Sequence, residues 1–237
     1  MVDIEVPEMM NKMAYDRAIV VFSPEGRLYQ VEYALKAVEI SPTSIGITFR
    51  DGVVLFAAKR FSKLLAPESG EKILKIDEHI AVSFCGMAAD ARFLIDYARV
   101  RAQVNRITFN EPITVQTLVK QIANRKQQFT QVGGIRPFGI SFLIAGSDGS
   151  EHLFETDPAG TIYEWKAHSI GRGAKVANQI LERDYKPNMT REQTISLGLK
   201  ALRESEKKIT VRDIEIGVVE NKKFKKLTQD EIKKYFK

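Results

Sequence analysis

The chain has 237 residues, a net charge of +6, an apolar fraction of 44% and a single cysteine, Cys85. That apolar fraction supports a sizeable core, while one cysteine excludes an internal disulfide framework and fits a reducing compartment. No run approaches the ~20 apolar residues of a bilayer span, and the acidic segment 1–8 has no apolar stretch of a secretory leader, so a cytoplasmic location is expected. Ser23-Pro24-Glu25-Gly26 has the composition of a tight turn, with Pro fixing φ and Gly tolerating φ > 0. Leu28, Val31, Leu35 and Val38 then follow helical spacing, and Glu32 and Lys36 stand i,i+4 on another face.

Strand patterns begin at 45–50, cross the turn signal Asp51-Gly52, and continue over 53–58. Segments 73–76 and 79–84 make a second pair around Asp77-Glu78. A first long helix is predicted with Ala91, Leu94, Ile95, Ala98 and Ala102 on one face and Arg92–Asp96 paired outside. A second starts near Thr114 and presents Val115, Leu118, Val119, Ile122 and Phe129. Strands return at 140–145, 152–155, 161–165 and 167–170. Gly171-Arg172-Gly173 opens a third helix with Val176, Ile180 and Leu181 inward, and Thr190 to Gln193 reads as a capping box for a fourth, with Ile195, Leu199 and Leu202 inward. A last strand over 211–219 and a terminal helix over 229–236 complete the pattern. There are no repeats or linkers. Helices segregated from antiparallel strands predict an α+β layered fold rather than a doubly wound parallel sheet.

Chemistry-bearing constellations are few. His79, His152 and His168 have no metal-ligand spacing and read as structural histidines in strand patterns. Gly171-Arg172-Gly173 lacks the rest of a dinucleotide or P-loop fingerprint, so packing or a turn is the better reading. Cys85 lies in an apolar run and reads as a small buried hydrophobe. The basic run 221–226, with Lys233, Lys234 and Lys237, suits a phosphate backbone in charge alone; without a recognition motif it reads as a solvated face. Neither cofactor nor metal is expected.

Several segments carry a specific resemblance: Tyr15-Asp16-Arg17, then Phe22-Ser23-Pro24-Glu25-Gly26-Arg27-Leu28-Tyr29-Gln30-Val31-Glu32-Tyr33-Ala34, then Gly133-Gly134-Ile135-Arg136-Pro137-Phe138-Gly139 and Asp157-Pro158-Ala159-Gly160-Thr161. From about residue 13 onward the chain resembles proteasome alpha subunits, the archaeal single-type form above all; residues 1–12 carry no comparable match. The resemblance implies the four-layer αββα sandwich of N-terminal-nucleophile hydrolases. It implies one domain over 1–237: a gate segment at 1–22, a turn and helix at 23–40, and a sandwich body at 41–237.

The catalytic beta relatives use an N-terminal threonine whose own α-amine is the base. Aligning Ile45-Gly46 with their first strand puts Pro42 at the nucleophile and Ala58 at the acidic position; only Lys72 keeps its type. Thr43 and Ser44 carry hydroxyls but no free α-amine, so this chain is expected not to cleave peptides. The resemblance implies instead a heptameric outer ring of the 20S proteasome core, stacked on beta subunits, through which unfolded substrates pass.

Tyr15, Asp16, Arg17, Pro24 and Tyr33 match the family's gate cluster. Lys72, Glu32, Gly86, Met87 and Leu35 match positions of the pocket that receives C-terminal tails of activator ATPases or other caps. Two positions depart from a relative: Leu35 replaces an arginine, altering pocket polarity or assembly contacts, and Ser41 replaces a glycine, tightening tail insertion. The alternatives are an active hydrolase of the same fold and a basic nucleic-acid binder.

Overall fold

A computed structural model of the chain describes residues 20–59, 62 and 64–236. Tyr15, Asp16, Arg17 and most of the expected gate segment therefore lie outside the described residues. Helix α1 (Tyr29–Glu39) leads into β1 (Ser44–Phe49) and β2 (Gly52–Ala58). Then come β3 (Ile73–Asp77), β4 (Ile80–Gly86), α2 (Ala88–Phe109) and α3 (Val115–Gln131). β5 (Ile140–Ser147), β6 (Glu151–Thr156), β7 (Ile162–Glu164) and β8 (Ala167–Ile170) follow. α4 (Ala174–Asp184), α5 (Arg191–Ser205), β9 (Ile214–Glu220), β10 (Lys223–Lys226) and α6 (Gln229–Tyr235) complete the order.

The strands form two antiparallel five-stranded sheets, β10-β9-β2-β1-β8 and β3-β4-β5-β6-β7. Period-2 alternation decides what each face meets. Val54, Phe56 and Ala58 of β2 face α4, α5 and α6, whereas Val53, Leu55 and Ala57 face the other sheet. Val82, Phe84, Phe142 and Ile144 face α2 and α3. Both faces of β1 and β2 are covered, which is why residues 53–58 read as an unbroken apolar run. The order is helices, sheet, sheet, helices: the αββα sandwich that the resemblance implies, with α1 added at one end.

Local signals fix most boundaries. The Thr114 hydroxyl accepts from Thr117 N at 3.2 Å, and Thr190 and Gln193 form the expected capping box. Other details differ. Glu32 pairs with Arg27 and not with Lys36, which pairs with Glu39; the turn at Gly26 (φ 75°) brings the arginine back over the helix start. On α1 the buried positions are Tyr29, Val31, Ala34 and Val38, leaving Leu28 and Leu35 half-buried. Asp96 pairs with Arg99 rather than Arg92, since that guanidinium also donates to the Lys75 carbonyl. On α4 the buried stripe is Ala177, Ile180 and Leu181 at i, i+3, i+4 spacing, and Val176, one residue off that stripe, is 42% exposed. The expected strand over 211–219 is a 3-10 turn (Val211–Asp213) followed by β9, and the basic run becomes the β9–β10 hairpin. His79 sits in the β3–β4 turn, its Nε2 2.9 Å from the Ile113 carbonyl, not in a strand.

Lys126 of α3 is fully buried beneath the second sheet. Its ammonium donates to Ile140 O at 3.0 Å and to Thr156 O and Oγ1 at 2.9 Å, tying α3 to β5 and β6. Burial pulls its pKa down to about 7, against the opposing fields of Asp157 and Glu155. In the folded chain the proton leaves near pH 7, in the unfolded chain near 10.5, so stability rises with pH across that window. Urea unfolding at several pH values is expected to show this rise in the wild type and a smaller rise in Lys126→Met, where the buried Lys72 still contributes. On the other side, Gly198 of α5 lies flat on Phe56, and a Cβ there would meet ring carbons at 2.2 Å. Gly198→Ala is expected to destabilise by about 3 kcal/mol, read as a fall in midpoint on thermal unfolding.

Candidate functional site

The site forms where α1 hands the chain to β1. The Ser23–Gly26 turn closes with Gly26 N donating to Ser23 O at 2.8 Å and Ser23 N to Arg27 O at 2.9 Å. Pro24 is exposed on this turn, and Tyr33 is 51% exposed on α1. α1 packs over β4 and β5 and ends at Ile40, leaving Ser41 and Pro42 to reach the sheet.

Thr43 is fully buried. Its N–H and its hydroxyl both donate to Glu206 Oε1 at 2.8 Å, and the hydroxyl accepts from Gly173 N at 3.0 Å. Arg172 binds the same carboxylate through Nε (2.9 Å to Oε2) and Nη2. Burial pushes the Glu206 carboxyl up, but Arg172 and Thr43 outweigh it and hold it below the usual carboxylate range. Gly171 is required beside them: φ is +99°, and a Cβ would lie 2.9 Å from both Cys85 Sγ and Ser41 O.

This clamp presents the Pro42 carbonyl inward. Lys72 Nζ donates to it at 2.5 Å and Cys85 Sγ at 3.1 Å. Burial draws the Lys72 ammonium below the usual lysine range, opposed by Cys85, Glu206 and Glu215. Ala58 closes the junction, its N–H donating to Thr43 O at 2.9 Å. Of the positions aligned with nucleophile, acid and lysine, Pro42 and Lys72 thus meet as a peptide carbonyl and an amine, while Ala58 reaches the junction through its backbone bond to Thr43.

Beside the junction opens a cleft of about 480 Å³ between α1, the 3-10 turn Pro67–Gly70 and the start of α2. Lys72, Gly86, Met87 and Ser41 line it together with Ile40 and Leu65. Glu32 and Leu35 lie outside that lining; Glu32 stands on the outer side of α1 with Arg27. Sequence reasoning missed what supports the cleft. Gly86 has φ +121°, and a Cβ there would meet Gly139 O at 2.1 Å. Gly139 N donates to Asp90 at 2.9 Å, and Asp90 holds Arg136 through bonds of 2.7 and 2.8 Å. The motif 133–139 therefore braces the cleft floor. Its Gly and Arg were visible in sequence, but their partner at Asp90 is set by tertiary contact.

Among the described residues no group of three or more His, Cys, Asp or Glu could hold a metal ion. The histidines serve structure: His152 lies 2.7 Å from Glu164 and His168 3.2 Å from Glu155.

Two family models match: that of the proteasome subunits over residues 38–219, and that of the N-terminal signature of A-type proteasome subunits over residues 15–37. The chain belongs to the proteasome subunit family. Among its relatives, the proteasome alpha subunit of Archaeoglobus fulgidus is 49% identical over 230 residues, covering 95% of this chain and 94% of that one. That of Methanoculleus marisnigri is 51% identical over 229 residues, covering 94% and 95%. That of Thermococcus sibiricus is 49% identical over 223 residues, covering 93% and 86%. The two family models meet inside the last turn of α1, one turn before the clamped junction.

Removing one partner of the buried Glu206 cluster tests its weight. Glu206→Gln is expected to cost about 3 kcal/mol at neutral pH, since Arg172 loses its counter-ion. A carboxylate held low stabilises above its unfolded value of 4.5 and loses that contribution as pH falls through the folded value. The gap between wild type and Glu206→Gln in urea unfolding is therefore expected to narrow below about pH 4.5.

Proposed function

We propose that this proteasome-family chain is a non-catalytic ring and gating subunit of the proteasome core. The observation that carries the reading is the state of the nucleophile position. N-terminal-nucleophile chemistry needs a hydroxyl or thiol on a residue whose own amine is free. Here that place holds Pro42 in mid-chain, its carbonyl bonded to Lys72, with Ala58 where an acid would stand. The adjacent Thr43 hydroxyl is buried and already bonded to Glu206.

In this reading one domain over residues 1–237 contributes to a heptameric ring that caps beta subunits, in the cytoplasm. Sevenfold closure joins one face of each copy to a different face of the next. Phe93, Val100, Val104 and Ile107 leave an exposed apolar stripe along α2, the kind of surface that assembly covers. The segment 1–22 of each copy converges on the ring axis. Tyr15, Asp16 and Arg17, with Pro24 and Tyr33 of neighbouring copies, set the open arrangement. Two phenols and a carboxylate are suited to exchange hydrogen bonds there, and the exposure of Pro24 and Tyr33 supports this. The Lys72 cleft takes C-terminal tails of activator ATPases or other caps, with Gly86 and Met87 in its wall and Glu32 and Leu35 on the approach. Unfolded chains then pass to threonine nucleophiles carried by the beta subunits.

Purified alone, the chain is expected to give a heptameric species by native mass spectrometry and no hydrolysis of fluorogenic peptides. A monomer at micromolar concentration, or peptide cleavage with no companion protein, contradicts the proposal. In a complex reconstituted with beta subunits, deleting residues 1–12 is expected to speed degradation of an unstructured polypeptide several-fold. An unchanged rate removes the gate role.

A further inference from the structure

Lys72 borders the cleft yet is only 7% exposed. Its nitrogen rests on the Pro42 carbonyl at 2.5 Å, with Cys85 Sγ at 3.8 Å and the Phe84 ring centroid at 5.9 Å. None of these neighbours is a carboxylate. The acidic groups around it are committed elsewhere. Glu215 of β9 accepts from the backbone N–H of Lys72 and Ile73 at 3.0 Å, and the Lys59 ammonium faces it at 3.2 Å. Glu206, at the end of α5, is held by Arg172 and Thr43. Glu71, at the lip of the cleft, is held by Lys226 of β10 at 2.9 Å. α1 contributes only Ala37 and Ile40 to the lining, and Asp90 near the start of α2 is engaged by Arg136. Among the described residues, no carboxylate forms an ion pair with Lys72.

We propose that docking of a terminal carboxylate at Lys72 is coupled to proton uptake: the free subunit keeps this amine in an enclosed niche against a carbonyl, and the incoming tail brings the counter-ion the niche lacks. The inference rests on the tail-docking reading of the cleft. Desolvation disfavours the charged amine, and an opposite charge nearby restores it. The fields of Cys85, Glu206 and Glu215 offset burial in part, leaving the free side chain easier to deprotonate than an exposed lysine. The bound state therefore holds more protons than the free state, and affinity falls as pH rises between the two values. A tail with a blocked C-terminus brings no counter-ion and gains nothing from the proton. Acidification thus strengthens capping of the ring.

The test is isothermal titration calorimetry on the assembled full-length chain with the peptide GSGSLFL, as free acid and as C-terminal amide. It is run from about pH 6 to about pH 9.5 in two buffers of different ionisation enthalpy. The free acid is expected to take up a fraction of a proton per peptide that grows as pH rises toward the ordinary lysine range. Its association constant is expected to fall by up to about tenfold per pH unit, with the amide weak throughout. Lys72→Arg, whose guanidinium stays charged, is expected to bind the free acid with no uptake and a flat profile. Tight binding of the free acid to the wild type, with no uptake and a flat profile, overturns the coupling and leaves the docking reading standing. Equal binding of acid and amide, unchanged in Lys72→Met, overturns the docking reading and the coupling with it.

Discussion

Glu206 holds the point at which the chain passes from α1 into the sandwich. It is 3% exposed, a depth at which an unpaired carboxylate costs several kcal/mol. Thr43 and Arg172 meet that cost with charge-assisted bonds from two distant parts of the chain. In return the carboxylate joins the approach to β1, the β8–α4 turn and the end of α5. Segment 41–43 is thereby fixed, the Pro42 carbonyl points inward, and α1 is set over β4 and β5 at one end of the two sheets. The cleft, its lysine and the exposed turn carrying Pro24 all take their positions from this junction.

In the proposed reading, the same junction is where the scaffold parts with catalysis. A free α-amine at the nucleophile position and a helix continuous with the first strand are mutually exclusive, because the amine must be a chain end. Once the chain runs through, the lysine at that position has no nucleophile to serve, and its ammonium turns to the nearest acceptor, the Pro42 carbonyl. Burial then weakens its charge, as it does for Lys126. The two buried lysines differ in what surrounds them. Lys126 has three oxygen acceptors and sits away from any cleft. Lys72 has one oxygen acceptor and borders open space, the arrangement that the docking proposal uses.

The layered core sets which of these features a single chain completes. Sheet faces and helix stripes are satisfied internally in three apolar clusters, one between the sheets and one beneath each helical layer. The 133–139 loop is pinned to α2 by Asp90 and Arg136. Among the described residues, the turn and outer face of α1 and the apolar stripe of α2 are left uncovered.

Local pattern was enough for most of the fold. Period-2 runs at 45–50 and 53–58, the hydroxyl caps at Thr114 and Thr190, and the glycines at 26 and 171 each act within a few residues, so the sequence alone places β1, β2, α3, α5 and the two turns. It also determined what is missing at Pro42 and Ala58, because residue identity settles whether a hydroxyl, an amine or a carboxylate is present. Charge partners were less legible: Glu32 and Asp96 each had more than one cation within reach, and the choice went to Arg27 and Arg99 on turn and backbone geometry. The inward turn of Lys72, the bracing of Gly86 by Gly139 and the clamp from Glu206 to Thr43 were decided only by tertiary structure. The last joins residues 163 positions apart, and no periodicity in a chain encodes which buried acceptor will lie within 3 Å of a given donor once two sheets close over it.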